Sequence, residues 1–207
     1  MRLRIPLSKQ KFGETNCGPR CLKMIADYFG SKKSLEEIEQ IVGFKKGKLT
    51  FSIDLAKAAE ELGYHVEFYT KNLIPLQEFF DKPEIKRDSP YTREELIEVV
   101  KKAKTRKIKI YEKNLKLQEI LKKLSRKSLL IILVDWTKIA QKRDNIYRGH
   151  YLVLVGEDSK FVYVNNSGPK DSGKLQAIRK DIFDKARKSV CTDEDILVIS
   201  IPERNNI

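Results

Sequence analysis

Apolar and polar positions follow a helical spacing in the first half of the chain and a strand-like one in the second. Between residues 17 and 29, Cys21, Leu22, Ile25, Ala26 and Phe29 fall on one stripe, which predicts an amphipathic helix. Pro19 suits its first turn and Gly30 its end. Ser34 with Glu37 reads as a capping box for a short helix ending at Gly43, and Thr92 with Glu95 as another for a helix to Lys104. Ser52 is the expected cap of a helix over 53–62 closed by Gly63, and residues 114–123 read as one more helical segment. Alternation over 64–69 predicts a strand, and residues 107–112 a short one. From residue 128 onward, segments 128–136, 150–156, 160–165 and 196–201 are all strand-like, and Gly156-Glu157-Asp158 folds the middle pair into a hairpin. Pro75, Pro83 and Pro90 mark 72–92 as loop-rich. Helices first and an antiparallel sheet after them make an α+β fold.

Composition narrows the class without naming a function. A length of 207 residues suits one domain with room for a sizeable insertion, and a hydrophobic share of 41% is enough for a core. The longest apolar run, Leu129 to Val134, is strand-sized, so the chain is not expected to be transmembrane. Arg2 and Arg4 are not followed by an apolar segment, and three scattered cysteines are too few for a disulfide framework. Both features point to a reducing, cytoplasmic setting. Charge changes the picture more. The net +13 is concentrated, because from Lys101 to Lys127 twelve Lys or Arg stand against two Glu. Such a patch reads first as the solvated face of a Lys-rich helix, and second as a surface for an anionic partner, a nucleic acid or a membrane surface. Its one aromatic residue, Tyr111, is too little for base stacking.

One stretch carries most of the chemical signal. Glu14-Thr15-Asn16-Cys17-Gly18-Pro19 puts a thiol at the mouth of the first helix, where unpaired N–H groups and the dipole's positive end favour thiolate over thiol. Cys17 is therefore the candidate nucleophile, its backbone N–H a candidate oxyanion donor, and Gly18 a place for a substrate backbone to approach. Cys21 falls on the apolar stripe and reads as core, whereas Cys191 carries no signal. Of the two histidines, His65 sits in an alternating strand and reads as structural. His150 starts a strand next to Gly149, which leaves access for a substrate. The hairpin returning through Phe161–Asn166 brings Asn165 or Asn166 beside His150, the neighbour a general base needs to fix its tautomer. Asp135 and Trp136 end the strongest strand, and Trp136 reads as core rather than cleft. Cys17, Cys21 and His150 lack a fourth ligand at a usual zinc spacing.

With Cys, His and Asn in this order, the chain resembles the papain-like cysteine peptidases of the bacteriocin-processing type, which trim leader peptides after a double glycine. The matching residues are Asn16-Cys17-Gly18-Pro19 with Leu22-Lys23-Met24-Ile25, then Gly149-His150 through Gly156, then Val162-Tyr163-Val164-Asn165-Asn166. The resemblance implies a papain-like α+β domain spanning 1–207, in which 71–127 is a basic helical insertion, and a stand-alone member of the family. It implies a peptide or protein substrate, no metal or organic cofactor, and catalysis by Cys17, His150 and Asn166. The family usually has Asp, followed by Pro, where this chain has Asn166-Ser167-Gly168-Pro169. It also carries an oxyanion-hole glutamine six residues before the cysteine, where this chain has Lys11 and the nearest glutamine is Gln10. Two rivals follow from the residues: a catalytically weak module binding an anionic partner through 101–127, and a redox thiol pair, Cys17 with Cys21. The same thiol chemistry also serves acyl transfer to an amine.

Overall fold

In the computed structural model, which describes residues 2–142 and 146–202, the chain forms a mixed sheet with helices on both faces. The elements in order are α1 (Cys17–Tyr28), α2 (Leu35–Val42), α3 (Ser52–Glu61), β1 (His65–Thr70), α4 (Gln77–Phe80), α5 (Pro83–Asp88), α6 (Arg93–Lys104) and β2 (Ile108–Glu112). Then follow α7 (Leu117–Lys122), β3 (Ser128–Asp135), α8 (Trp136–Ile139), β4 (Gly149–Glu157), β5 (Phe161–Asn166), β6 (Gly173–Arg179), α9 (Lys180–Arg187) and β7 (Ile196–Ser200). Among the described residues the strands make one seven-stranded sheet in the order β2-β1-β7-β3-β4-β5-β6.

The central strand β3 shows why two helical layers are needed. Leu129 and Ile131 join the core beneath α1, α2 and α3, while Leu130, Ile132 and Val134 join a second core with residues of α7 and α9. Alternate side chains point to opposite faces, so a strand apolar at every position is buried on both. The expected antiparallel sheet of the C-terminal half is present. It is extended by β1, antiparallel to β7, and by β2, which runs parallel to β1.

Local sequence accounts for the starts of α2 and α6 but not for that of α3. Ser34 and Thr92 cap α2 and α6 in complete capping boxes with Glu37 and Glu95. Ser52 does not cap α3: Phe51 holds the cap position, and the Ser52 hydroxyl turns inward to the Tyr151 hydroxyl at 2.9 Å. The helix read at 114–123 is shorter, and the loop-rich stretch 72–92 contains the short helices α4 and α5. Strand β6 and helices α8 and α9 are additions to the sequence reading; β6 is an edge strand with mostly exposed, polar side chains and so lacks an apolar alternation.

The segment 71–127, expected as a basic helical insertion, contains α4 to α7 and is built into the domain. It supplies the edge strand β2, and its Leu96, Val100, Ala103 and Ile108 belong to the main core. Its positive charge lies outside. Arg106 pairs with Glu60 and Lys123 with Glu67, while Lys107, Lys109 and Lys113 stand exposed on and around the open edge of β2. Lysines on an edge strand discourage pairing with another chain, a structural use of the charge. No helix among the described residues is long and apolar enough to cross a membrane.

Candidate active site

The site forms where the tip of α1 meets the start of β4. Cys17 is the first residue of α1, and Asn16 at the cap position makes no capping hydrogen bond with its side chain. Instead, Asn16 accepts from Arg20 Nε at 3.0 Å and donates to Glu39 at 2.5 Å. The first-turn N–H groups are thus left for the thiol and for whatever enters beside it. His150 lies in the first turn-out of β4, paired across the sheet with Val134. Asn166 ends β5.

A β-bulge decides that Asn166, and not Asn165, meets the histidine. Pairing of β4 with β5 shifts by one residue between Leu154 and Gly156, so that Asn166 lies opposite Leu152 and shares its face with His150. The His150 Nε2 to Asn166 Oδ1 distance is 2.7 Å. The orientation of the amide is fixed from three sides. Asn166 Nδ2 donates to the Asp171 carbonyl at 2.9 Å, and Oδ1 also accepts from Gly168 N–H at 2.8 Å. Oδ1 can only accept, so Nε2 of His150 carries the proton, and Nδ1 is left to face the thiol. Gly168 keeps this contact uncrowded: a Cβ there would lie 3.0 Å from Asn166 Oδ1. Asn165 turns away, donating to the Ile5 carbonyl at 3.0 Å.

Thiol and imidazole shift each other. Burial by itself raises the Cys17 thiol, but a hydrogen bond and charge from His150, with backbone hydrogen bonds from Tyr151 and Gly18, outweigh it and hold the thiol below its ordinary value. Burial lowers His150, and the hydrogen bond and charge of Cys17 together with the Asn166 hydrogen bond outweigh that and raise it. Both shifts favour a thiolate–imidazolium pair. Trp136 stands edge-on to the His150 ring, with centroids 5.5 Å apart. It is half-buried, packed against the second core on one side and bordering the cleft on the other.

The loop before α1 places Gln10 in the wall of the cavity that Cys17 opens into. Gln10 is 8% exposed; its backbone N–H donates to the Ser167 carbonyl and its side-chain amide to the Glu14 carbonyl at 3.1 Å. Lys11 points to solvent. Arg20, buried and bonded to Glu14, Ser8 and Asn16, ties this loop to the helix, a positioning role with no motif to announce it.

Both glycines expected to admit substrate are filled by the chain itself. A Cβ on Gly149 would meet the Tyr147 hydroxyl at 2.6 Å, and one on Gly18 would meet Leu55 at 3.1 Å and Thr50 at 3.2 Å. Asp135 is no cleft residue either: buried, it caps α8 by accepting from Thr137 N–H at 3.0 Å and binds Ser189 at 3.0 Å. His65 is exposed at the start of β1. Cys21 is fully buried, and burial raises its thiol well above the ordinary value, which removes it as a redox partner of Cys17. Cys191, silent in the sequence, lines the same cavity as Cys17 with Lys82 Nζ 2.9 Å from its sulfur. That cavity measures about 460 Å³, and a second of about 210 Å³ lies beyond His150, lined by Trp136, Lys142, Arg148 and Lys170.

Solved structures similar to this chain include peptidases. The chain is similar to the peptidase domain of Streptococcus ComA (TM-score 0.53, 15% identity, 96% of this chain and 100% of that one). It is similar to a double glycine motif protease from an AMS/PCAT transporter solved with its leader peptide (TM-score 0.57, 15% identity, 97% and 94%). A C39-like peptidase from Bacillus anthracis gives a TM-score of 0.55 at 14% identity over 96% of each chain. Likeness at this identity is one of fold, and the fold is papain-like. Sequence points elsewhere by name. "Guanylyl cyclase 1" of Arabidopsis thaliana is 25% identical over 210 residues, covering 92% of this chain and 74% of that protein. The family model described as guanylylate cyclase matches residues 5–199, nearly the whole length, and the chain therefore belongs to that family.

Proposed function

We propose that the protein is a cysteine peptidase or related amide-bond hydrolase, with Cys17 as nucleophile, His150 as acid and base, and Asn166 as the residue that orients it. The observation that carries the reading is His150 held between the Cys17 thiol and Asn166 Oδ1, with both titrating groups shifted toward the ion pair. The thiolate adds to the carbonyl carbon, and the oxygen takes up the electron pair of the double bond. The Cys17 N–H and the Gln10 side-chain amide are the donors for that oxyanion; losing one such donor costs about 3 kcal/mol of transition-state stabilisation. His150 gives its Nδ1 proton to the leaving amine, and then takes a proton from the water that cleaves the thioester. A nucleophilic amine in place of water, giving its proton to His150 as it attacks the thioester, would make the same step an acyl transfer. A leader peptide bound to one structural neighbour supports a peptide as the substrate here. Three free cysteines fit a reducing, cytoplasmic compartment.

The family description offers cyclisation of GTP as the second reading. That reaction needs counter-charge for a triphosphate, usually metal ions held by carboxylates. Among the described residues no three His, Cys, Asp or Glu gather as a metal-holding set, and the cavity beside Cys17 is lined by five carboxylates against two guanidiniums. The residues lining the cavity beside Cys17 do not fit that chemistry. The two readings separate in one experiment: a proteome-derived peptide library and, in parallel, GTP with magnesium are incubated with the protein and with Cys17→Ala. New peptide termini that disappear in Cys17→Ala establish the hydrolase. Cyclic GMP formed equally by both proteins overturns it.

A further inference from the structure

The cavity at Cys17 contains polar atoms that the hydrolytic machinery leaves unused. Asp195 Oδ1 and Thr50 Oγ1 are both buried without a hydrogen-bond partner among the described residues, and both residues line this cavity. Two orphaned polar atoms on residues that wall one cavity are costly unless something satisfies them. Three of the neighbouring carboxylates already have partners. Glu14 is bound by Arg20 at 2.8 Å, Asp88 by Arg87 at 2.7 Å, and Asp193 by the Asn72 amide at 2.7 Å. Asp195 has no ion-pair partner among the described residues. Burial pushes its carboxyl up to about 7, with the Ser52 and Thr70 hydroxyls pulling down and the charge of Asp193 pushing up. A cation is what this carboxyl lacks.

The loop that carries it is shaped for the purpose. Cys191, Asp193 and Glu194 take left-handed backbone conformations, with φ of 77°, 46° and 54°, strain of the kind that gathers at functional sites. Arg187, fully buried, anchors the loop through Glu194 at 3.1 Å, and the Tyr147 hydroxyl anchors it through the Cys191 carbonyl at 2.9 Å. In a chain of net charge +13, an acid-rich cavity is a local reversal that selects positive groups.

We propose that Asp195, with Thr50, forms a specificity subsite for a lysine or arginine side chain on the acyl side of the scissile bond. This rests on the hydrolase reading, and the test separates the two. The probes are acetyl-Ala-Lys and acetyl-Lys-Ala (acyloxy)methyl ketones and their norleucine counterparts, equal in length but uncharged. Their rates of alkylating Cys17 are read by intact mass, beside iodoacetamide on wild type and His150→Ala. At least one Lys probe should outrun its norleucine partner by about tenfold or more, the worth of a charge-assisted hydrogen bond. Asp195→Asn should bring that ratio close to one, and Thr50→Val should lower it by less. If iodoacetamide shows an activated, His150-dependent thiol while the Lys and norleucine probes react alike, or neither reacts, the subsite is overturned and the hydrolase reading stands. If Cys17 behaves as an ordinary thiol indifferent to His150, both fall. Should Asp195→Asn fail to fold, the wild-type ratio still decides.

Discussion

The Asn166 amide fixes Nε2 of His150 as a donor, because its own N–H₂ is committed to the Asp171 carbonyl, and leaves Nδ1 for the proton exchanged with Cys17. Asn166→Asp keeps the shape and adds a negative charge beside the ring. His150 should then stay protonated to higher pH, moving the basic limb of Cys17 alkylation upward; Asn166→Ala should move it downward. A limb unmoved in both variants would contradict the assigned hydrogen bond. Gly149→Ala makes a separate prediction. The new methyl meets Tyr147 at 2.6 Å and displaces the hydroxyl from the Cys191 carbonyl. Urea unfolding should show a loss of about 1–3 kcal/mol, the range for overpacking. Cys17 and His150 were legible in the sequence because each sits at a joint, a helix mouth and a strand start, beside a glycine. The residue pattern alone did not separate Asn165 from Asn166, since a one-residue bulge inside an apolar strand leaves no mark in it, and the choice of Asn166 came from the family resemblance. The roles of Gly18 and Gly149 were misread for a related reason: a missing Cβ looks the same in sequence whether substrate or Tyr147 takes the space. Asp195 was invisible, because what marks it is the absence of a partner.

Among the elements, capping boxes were the most legible feature, since Ser34–Glu37 and Thr92–Glu95 satisfy their helix ends within four residues. The Phe51–Ser52 start was misread because the hydroxyl found a tertiary partner in Tyr151, a contact 99 residues away in the chain. Edge strand β6 escaped for want of a buried face, and β2 was found as a strand but not as part of the main sheet. These differences lead to a prediction about the segment 71–127. Thr92→Ala removes the hydroxyl that accepts from Glu95 N–H at 3.2 Å. Loss of such a cap costs about 1 kcal/mol, which lowers Tm by about 2–4 °C in a chain of this size. Because α6 packs in the main core, calorimetry should show one transition shifted as a whole. A separate low-temperature transition would mean that 71–127 unfolds independently of the rest.

For the whole molecule, charge is sorted by place: lysines outside, around the open edge of β2, and carboxylates inside the cavity at Cys17. The sequence showed the first but not the second, since the carboxylates come from segments far apart in the chain. If the exposed lysines protect the edge, replacing Lys107, Lys109 and Lys113 by Thr should produce concentration-dependent association in light scattering. If they hold an anionic partner instead, the same variant should stay monomeric and lose a steeply salt-dependent binding to DNA or anionic vesicles. The central claim, an activated thiol at the tip of α1, is tested most directly by the rate of Cys17 alkylation with iodoacetamide. It is followed by peptide mapping from about pH 5 to about pH 9, with buried Cys21 as an internal control. The thiol lies below its ordinary value because of His150, so wild type should react readily near pH 6. In His150→Ala the rate there should collapse and the profile should move toward that of an ordinary thiol, near pH 8.5. A wild-type profile already centred near pH 8.5 and unchanged by His150→Ala would contradict the account.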